Sequence, residues 1–129
     1  MATANAFSNL TGQQFMSLTT YRKTGVAVPT PVWFVDVGDR LLVTTDNTTG
    51  KVKRLRNNAQ VTVAPSKADG TVTGAAVEAQ ARILDPAEHE PARQALKKKY
   101  GIQWHVFMFL GRVRGRKGQT TFLEITPGG

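Results

Sequence analysis

The chain lacks several residue types that define whole classes of protein. Its 129 residues include no cysteine, which excludes a disulfide scaffold and a thiolate metal site. Its two histidines, His89 and His105, do not have the spacing of a metal-ligand pair. No apolar run approaches the length of a membrane span, and Met1 to Thr11 carry no signal-peptide pattern. We therefore expect a cytoplasmic protein without a metal centre and without a membrane partner.

Acidic residues are also scarce. Nine aspartates and glutamates accompany 17 lysines and arginines, which gives a net charge of +8. Between Arg40 and Lys67 there are six basic residues and one acid, and from Pro91 onward there are eight and one. Positive charge segregated in this way favours an anionic ligand. The length and the 40% hydrophobic content predict one globular domain over residues 1–129, with residues 1–11 loosely ordered.

Short apolar segments separated by turn sequences predict a mainly β fold. The expected strands are Phe15–Thr20, Val26–Val37, Leu41–Thr45, Gln60–Pro65, Thr71–Leu84 and Gln119–Thr126. Pro29 and Pro31 interrupt the second of these and place its first part at a sheet edge or a bulge. An antiparallel sheet of about six strands usually closes into a barrel, because closure removes its edges.

Two helical segments interrupt the strands. The first is predicted over Thr48–Asn58. The second begins at the capping sequence Asp85–Glu88 and ends at Gly101, although Pro91 either kinks it or delays its start. The apolar and aromatic segment Ile102–Leu110 fits either a helix or a strand.

The most informative segment is Thr44–Arg56, where an apolar strand passes through hydroxyl-bearing residues into a short basic helix. The start of a helix presents unpaired N–H groups and the positive end of the helix dipole. Lys51 at this position makes an anion site suited to a phosphate. The residues alone leave three interpretations open: a cofactor phosphate, a nucleic-acid phosphate, or a solvated basic helix with no ligand.

Helical phasing separates the side chains of this helix into two groups. Val52 and Leu55 define the buried stripe, with Lys51 beside it at the helix start. Lys53 and Arg54 are predicted to point outward.

Three motifs in this order resemble the FMN-binding split-barrel superfamily of pyridoxamine 5'-phosphate oxidase. They are Thr30-Pro-Val-Trp-Phe34, Leu42-Val-Thr-Thr45 and Lys51-x-Lys-x-Leu-Arg-x-Asn58. The chain looks most like the branch of small actinobacterial oxidoreductases that use the deazaflavin coenzyme F420. The resemblance extends from about Phe15 to Thr126. It implies a mainly β (α+β) fold, a six-stranded antiparallel split β-barrel with two to three short helices. It also implies a homodimer that holds its cofactor in a groove between two barrels.

The resemblance also implies a set of cofactor-binding residues. One strand contributes Pro31, Val32 and Trp33, a second contributes Thr44 and Thr45, and the basic helix contributes Lys51, Lys53, Arg54 and Arg56. Lys51 would hold the phosphate, whereas the two arginines suit the acidic oligoglutamate tail of F420. FMN has no such tail, so the surplus of cations favours F420 over FMN. Gly50 stands where the oxidases have an arginine, and we therefore do not expect pyridoxamine phosphate oxidation.

The implied activity is hydride transfer between F420 and a small organic substrate. The chain offers no catalytic cluster, so the catalytic residues stay unassigned, with Tyr21, Tyr100 and His105 as candidate proton donors. The aromatic run Trp104–Phe109 suits the core, a dimer interface or a wall of the substrate pocket.

Two other classes of function remain as alternatives. One is an FMN-dependent oxidoreductase or a flavin or heme carrier without turnover. The other, less favoured, is a small basic barrel that binds nucleic acid through Lys97–Lys99 and Arg112–Arg116. Few aromatic residues fall on exposed strand positions, which argues against nucleic-acid binding.

Overall fold

A computed structural model describes residues 7–46, 50–101, 103 and 120–128. Its regular elements are β1 (Phe15–Tyr21), β2 (Ala27–Val37), β3 (Arg40–Asp46), α1 (Gly50–Asn57), β4 (Gln60–Ser66), β5 (Val77–Ile83), α2 (His89–Tyr100) and β6 (Thr120–Pro127). The strands form a closed barrel in the order β1-β2-β3-β6-β5-β4, and all neighbours are antiparallel. The predicted six-stranded antiparallel barrel with short helices is confirmed.

Strand β2 is shared between two neighbours. Its first seven residues, Ala27–Trp33, pair with β1, whereas in the described chain β3 pairs with Phe34–Val37. The prediction that Pro29 and Pro31 interrupt this strand is wrong, since it runs through both. Both prolines lie in the half of β2 that does not pair with β3. Their missing N–H groups therefore remove no hydrogen bond from the β2–β3 ladder.

The barrel interior is closed at both ends by short helical segments. Leu55 of α1 enters the interior cluster at one end. At the other end Phe7 and Leu10, on either side of the 3-10 turn Ser8–Leu10, are 1% and 0% exposed and belong to the same cluster. The expectation of a loosely ordered start is therefore wrong for residues 7–10, because two large apolar side chains there are removed from water.

Helix α2 covers the outer face of β2, β3 and β6. Its Ala92, Leu96 and Tyr100 form a second apolar cluster with residues of the sheet, among them Val35, Leu42 and Phe122. Pro91 lies in the first turn of α2, where backbone N–H groups have no partner within the helix, so it does not break the helix.

The predicted start of the fifth strand needs correction. Strand β5 begins at Val77 and not at Thr71, and the residues between them contribute a single bridge, Ser66–Val72. The segment Ile102–Leu110 lies outside the described residues except for Gln103. Among the helices that the structure describes, none is long and apolar enough to cross a membrane.

Candidate functional site

The two strands predicted to line a cofactor separate at the end of the barrel where α1 lies. Among the described residues, the β2–β3 ladder ends at the pair Phe34–Val43. One step further, the same register would set Trp33 opposite Thr44, but Trp33 lies in the half of β2 that pairs with Phe15 on β1. The predicted residues of β2 and β3 thus lie on either side of the place where these strands part.

The side chains at this opening point in two directions. Pro31 is exposed and Trp33 is half-buried against the α2 cluster, so both belong to the outer face of β2. Thr44 is 6% exposed and Thr45 is half-buried. The side chain of Val32 belongs to the interior cluster, which leaves only its backbone for contact with a ligand.

The basic helix α1 has the predicted phasing on its buried side. Val52 and Leu55 are 0% and 6% exposed, as the helical period requires. Lys51 is half-buried in the first turn, whereas Lys53 and Arg56 are exposed. The helix therefore has one cation beside its buried face in the first turn and two on its exposed face.

The predicted outward orientation of Arg54 is wrong. Its side chain is half-buried, and its Nε donates a hydrogen bond of 2.6 Å to Oγ1 of Thr20. Thr20 is fully buried at the end of β1. Helical phasing did not identify Thr20, since it lies 34 positions before Arg54 in the chain.

This contact places α1 relative to the opening. Thr20 pairs with Val28 in the first half of β2, the half that β3 has left. In addition, α1 starts at Gly50, four positions after β3 ends at Asp46. The basic helix and the strand opening therefore share one end of the barrel.

Trp33 has a fixed environment on the outer face of β2. Its ring stacks on Tyr100 with a centroid distance of 4.3 Å and an interplanar angle of 12°. Phe15 meets it edge to face at 6.3 Å. Stacked and edge-to-face pairs at these distances are favourable, so the indole is held in one orientation beside the opening.

Tyr100, a candidate proton donor, has its hydroxyl committed to the backbone. The oxygen lies 2.7 Å from the carbonyl oxygens of Gln14 and Phe34 and accepts a hydrogen bond of 2.9 Å from the Phe34 N–H. Burial raises the pKa of Tyr100 to about 12, and its hydrogen bond to Phe34 partly opposes this rise. A hydroxyl held in this way is a structural clamp, so Tyr100 is not suited to donate a proton to a substrate.

Lys99 completes the same clamp. Its Nζ donates hydrogen bonds of 2.7 Å to the carbonyl oxygens of Gln13 and Phe34 and lies 3.8 Å from the centroid of the Phe34 ring. Burial lowers the pKa of Lys99, and the nearby charge of Asp36 works against that shift. The side chain therefore serves α2 docking rather than an exposed basic surface for nucleic acid.

The remaining candidates are constrained or lie outside the described chain. The hydroxyl of Tyr21 is 2.8 Å from Oγ1 of Thr62, in a half-buried pair. His105, the aromatic run Trp104–Phe109 and the basic segment Arg112–Arg116 fall outside the described residues.

A group of ion pairs lies near the start of α2. Arg82 binds Glu88 through two hydrogen bonds of 2.9 Å and reaches Glu124 at 3.1 Å, and Arg40 pairs with Glu124. Arg82 lowers the pKa of Glu88 to about 2, chiefly by hydrogen bonding. These carboxylates are neutralised by local partners, so they do not offset the positive charge of α1.

The fold and this arrangement define a class: a split barrel in which one strand changes neighbour beside a basic helix. A family model described as pyridoxamine 5'-phosphate oxidase matches residues 2–129, and the chain belongs to this family of flavin-binding oxidoreductases. The superfamily resemblance carried by the three motifs is thereby confirmed.

Solved structures share the fold at low sequence identity. A heme storage protein from Vibrio cholerae, HutZ, has a TM-score of 0.66 and 13% identity, with 92% of this chain and 84% of that chain covered. An FAD-binding protein from Mesorhizobium loti has a TM-score of 0.62 and 15% identity, with 100% and 91% covered. An F420 reductase has a TM-score of 0.61 and 15% identity, with 99% and 97% covered. A comparison with curated protein sequences finds no match.

Proposed function

We propose that this protein is an oxidoreductase that binds coenzyme F420 in a groove between two barrels of a homodimer. The observation that carries the proposal is the position of the basic helix α1 at the same end of the barrel as the opening between β2 and β3. The site residues named from the sequence lie on the strands beside this opening and on α1. The FMN-dependent alternative uses the same groove.

The donor set at the start of α1 fits a phosphate. Lys51 supplies an ammonium group in the first turn, and Arg54 supplies a guanidinium held against the barrel by Thr20. The first N–H groups of a helix are suited to an anion, and charge-assisted hydrogen bonds are the stronger kind. Gly50 adds no side chain that would fill this space. Lys51 and Arg54 would hold the ribityl phosphate of a flavin or deazaflavin.

The exposed cations of α1 support F420 over FMN. Lys53 and Arg56 are exposed on the outer surface of the helix. A single ribityl phosphate does not require them, whereas an oligoglutamate tail that leaves the groove would gain from both charges. The similarity in fold to an F420 reductase over 99% of this chain agrees with this choice.

The bound cofactor supplies the hydride chemistry. The chain's own residues bind and orient: Trp33 and Thr44 flank the ring position, and the cations of α1 fix the phosphate end. The hydroxyl groups of Tyr21 and Tyr100 already have partners within the protein, and the proton donor stays unassigned. Substrate orientation beside the opening is then the main contribution of the protein to the rate.

Replacing Lys51 tests the phosphate assignment. Lys51→Ala removes one charge-assisted contact, and we expect the dissociation constant for F420 to rise by about 10-fold or more. Fluorescence titration of the purified protein measures it. Lys98→Ala is the matched control, because Lys98 is an exposed lysine on α2 and its loss should leave the affinity unchanged. Equal affinities of Lys51→Ala and the wild type would overturn the assignment.

Parallel titrations with FMN separate the two cofactor classes. The proposal expects tighter binding of F420 and a larger loss for F420 than for FMN when Lys53 and Arg56 are both replaced by alanine. Tighter binding of FMN, with no effect of that double variant, would support the FMN-dependent alternative.

A further inference from the structure

The guanidinium of Arg54 is held over the first residue of α1 by two features of the fold. The first is the 2.6 Å hydrogen bond from its Nε to Oγ1 of the fully buried Thr20. The second is the absence of a side chain at Gly50. A Cβ built on Gly50 would lie 2.7 Å from Nη1 of Arg54 and 3.5 Å from its Cζ. The guanidinium therefore occupies the space that any larger residue at position 50 would take.

The bond to Thr20 also determines which edge of the guanidinium can meet a ligand. Nε faces the barrel, so the edge formed by Nη1 and Nη2 is turned toward Gly50 and the first turn of the helix. A planar guanidinium presents paired donors that match two oxygens of a phosphate, and fixing the plane in advance reduces the entropy lost on binding. A guanidinium on a freely rotating side chain would have no such advantage.

We infer that Thr20 and Gly50 are positioning residues that set the guanidinium of Arg54 as a fork for the ribityl phosphate. This inference rests on the proposed function and adds to it the residues that orient Arg54. Arg54 acts on the phosphate at the helix start, and the acidic tail is left to Lys53 and Arg56. Neither Thr20 nor Gly50 contacts the ligand in this account through a side chain of its own. Each acts through Arg54.

Two substitutions test this at positions where the fold should survive. Thr20→Val keeps the shape of the side chain but removes the hydroxyl, and Thr20→Ser keeps the hydroxyl as the control. Gly50→Ala displaces Nη1, and because the displaced atom is the end of a flexible side chain the helix can adjust. Alanine also has a higher helix propensity than glycine, so Gly50→Ala should keep or raise the melting temperature.

The readout is affinity for ligand pairs that differ at the phosphate. FMN and riboflavin form one pair and isolate the phosphate, since riboflavin lacks it and neither has an acidic tail. F420 and its deazariboflavin chromophore form the second pair, which differs in the phosphate and the acidic tail together. For the pair that the wild type binds, we expect Thr20→Val and Gly50→Ala each to raise the dissociation constant of the phosphorylated ligand by about 10-fold. Binding of the unphosphorylated ligand should not change, and Thr20→Ser should bind as the wild type does.

The outcomes separate the inference from the function on which it rests. If the wild type binds neither F420 nor FMN, the proposed function is wrong. If the wild type binds but Thr20→Val and Gly50→Ala keep its affinity, the positioning role is wrong and the proposed function stands. Equal weakening of both members of a pair would also contradict the inference, because it would show a disturbance of the groove as a whole. A loss of affinity together with an unchanged or higher melting temperature in Gly50→Ala is not explained by a structural role alone.

Discussion

At the scale of single residues, Tyr100 joins two strands at the place where they separate. Its hydroxyl bonds the backbones of Gln14 and Phe34, where it accepts from the Phe34 N–H, and its ring stacks on Trp33. The residue is 6% exposed, so these bonds are shielded from water. A buried donor left unsatisfied costs about 1–3 kcal/mol, which makes the hydroxyl a measurable part of the stability.

Replacing Tyr100 with phenylalanine should therefore lower the free energy of unfolding by about 1–3 kcal/mol, because the Phe34 N–H loses its acceptor while the ring stacking on Trp33 is kept. Urea unfolding at neutral pH measures the difference. A change below about 0.5 kcal/mol, the usual range for a surface substitution, would show that the clamp contributes nothing.

The same hydroxyl predicts a dependence on alkaline pH. The pKa of Tyr100 is raised from 10.0 to about 12 by burial, so the folded state holds a proton that the unfolded state releases. The stabilisation from this group is complete below pH 10 and is lost as the pH rises toward about 12. The free energy of unfolding should decrease more between pH 9 and pH 11 for the wild type than for Tyr100→Phe. Parallel slopes for the two proteins would contradict the assignment.

The basic helix shows what a local pattern can and cannot predict about residues. The burial of Val52 and Leu55 follows from the helical period, which depends only on nearby positions. The orientation of Arg54 does not, since its partner Thr20 lies on a strand 34 positions earlier. A glycine one helical turn before an arginine is the signal that would have indicated it, because i and i+4 positions lie on the same face.

At the scale of elements, the barrel is closed at its ends by segments that are not strands. The 3-10 turn Ser8–Leu10 packs against β4, and Asn9 donates a hydrogen bond of 2.7 Å to the carbonyl oxygen of Ala75. The sequence before Phe15 is small and polar on average, so it predicts no packing role. Phe7 and Leu10 pack into the end of the barrel. They are isolated apolar residues in a polar segment, so no periodic pattern predicts their burial.

Truncating one of these side chains tests the closure. Leu10→Ala removes a fully buried side chain, and we expect a loss of about 2–5 kcal/mol in the free energy of unfolding. Val26→Ala is the matched control, since Val26 is 52% exposed and its replacement should change stability by less than about 0.5 kcal/mol. Similar small effects in both variants would mean that the N-terminal turn does not close the barrel.

In strand β2 the prolines predicted the pairing of the strand correctly but not its continuity. Pro29 and Pro31 correctly indicated the part of the strand that lies outside the β2–β3 ladder, because proline removes a donor that a paired edge would need. They did not interrupt the strand, since their fixed φ suits an extended backbone and β1 holds that half in register. The start of β5 was missed because Thr71–Ala76 lies before the first β4–β5 pair, Val63–Val77, although β4 itself extends to Ser66.

At the scale of the whole molecule, closure of about six antiparallel strands into a barrel was predictable from strand number and turn spacing, whereas the order of the strands was not predicted. The placement of the site was not, because it depends on where β2 exchanges one neighbour for the other. That exchange is a property of the closed barrel and brings residues of β2, β3 and α1 to one end. The resemblance of three short motifs indicated the same residues, and the fold supplies the physical reason for their order.

The charge distribution belongs to this scale as well. Glu88 and Glu124 form ion pairs with Arg40 and Arg82 near the start of α2. The cations of α1 lie beside the opening between β2 and β3 and take part in none of these pairs. The net charge of +8 therefore includes cations on α1 that Glu88 and Glu124 do not neutralise. Such a field favours an anionic ligand at α1 and weakens with ionic strength.

Binding titrations decide whether the cations of α1 serve a flavin-type cofactor. The purified protein is titrated with F420, FMN and single-stranded DNA at two salt concentrations. The account predicts saturable binding of F420, weaker binding of FMN and no specific binding of DNA. Tight DNA binding that falls steeply with salt, without binding of either cofactor, would contradict it.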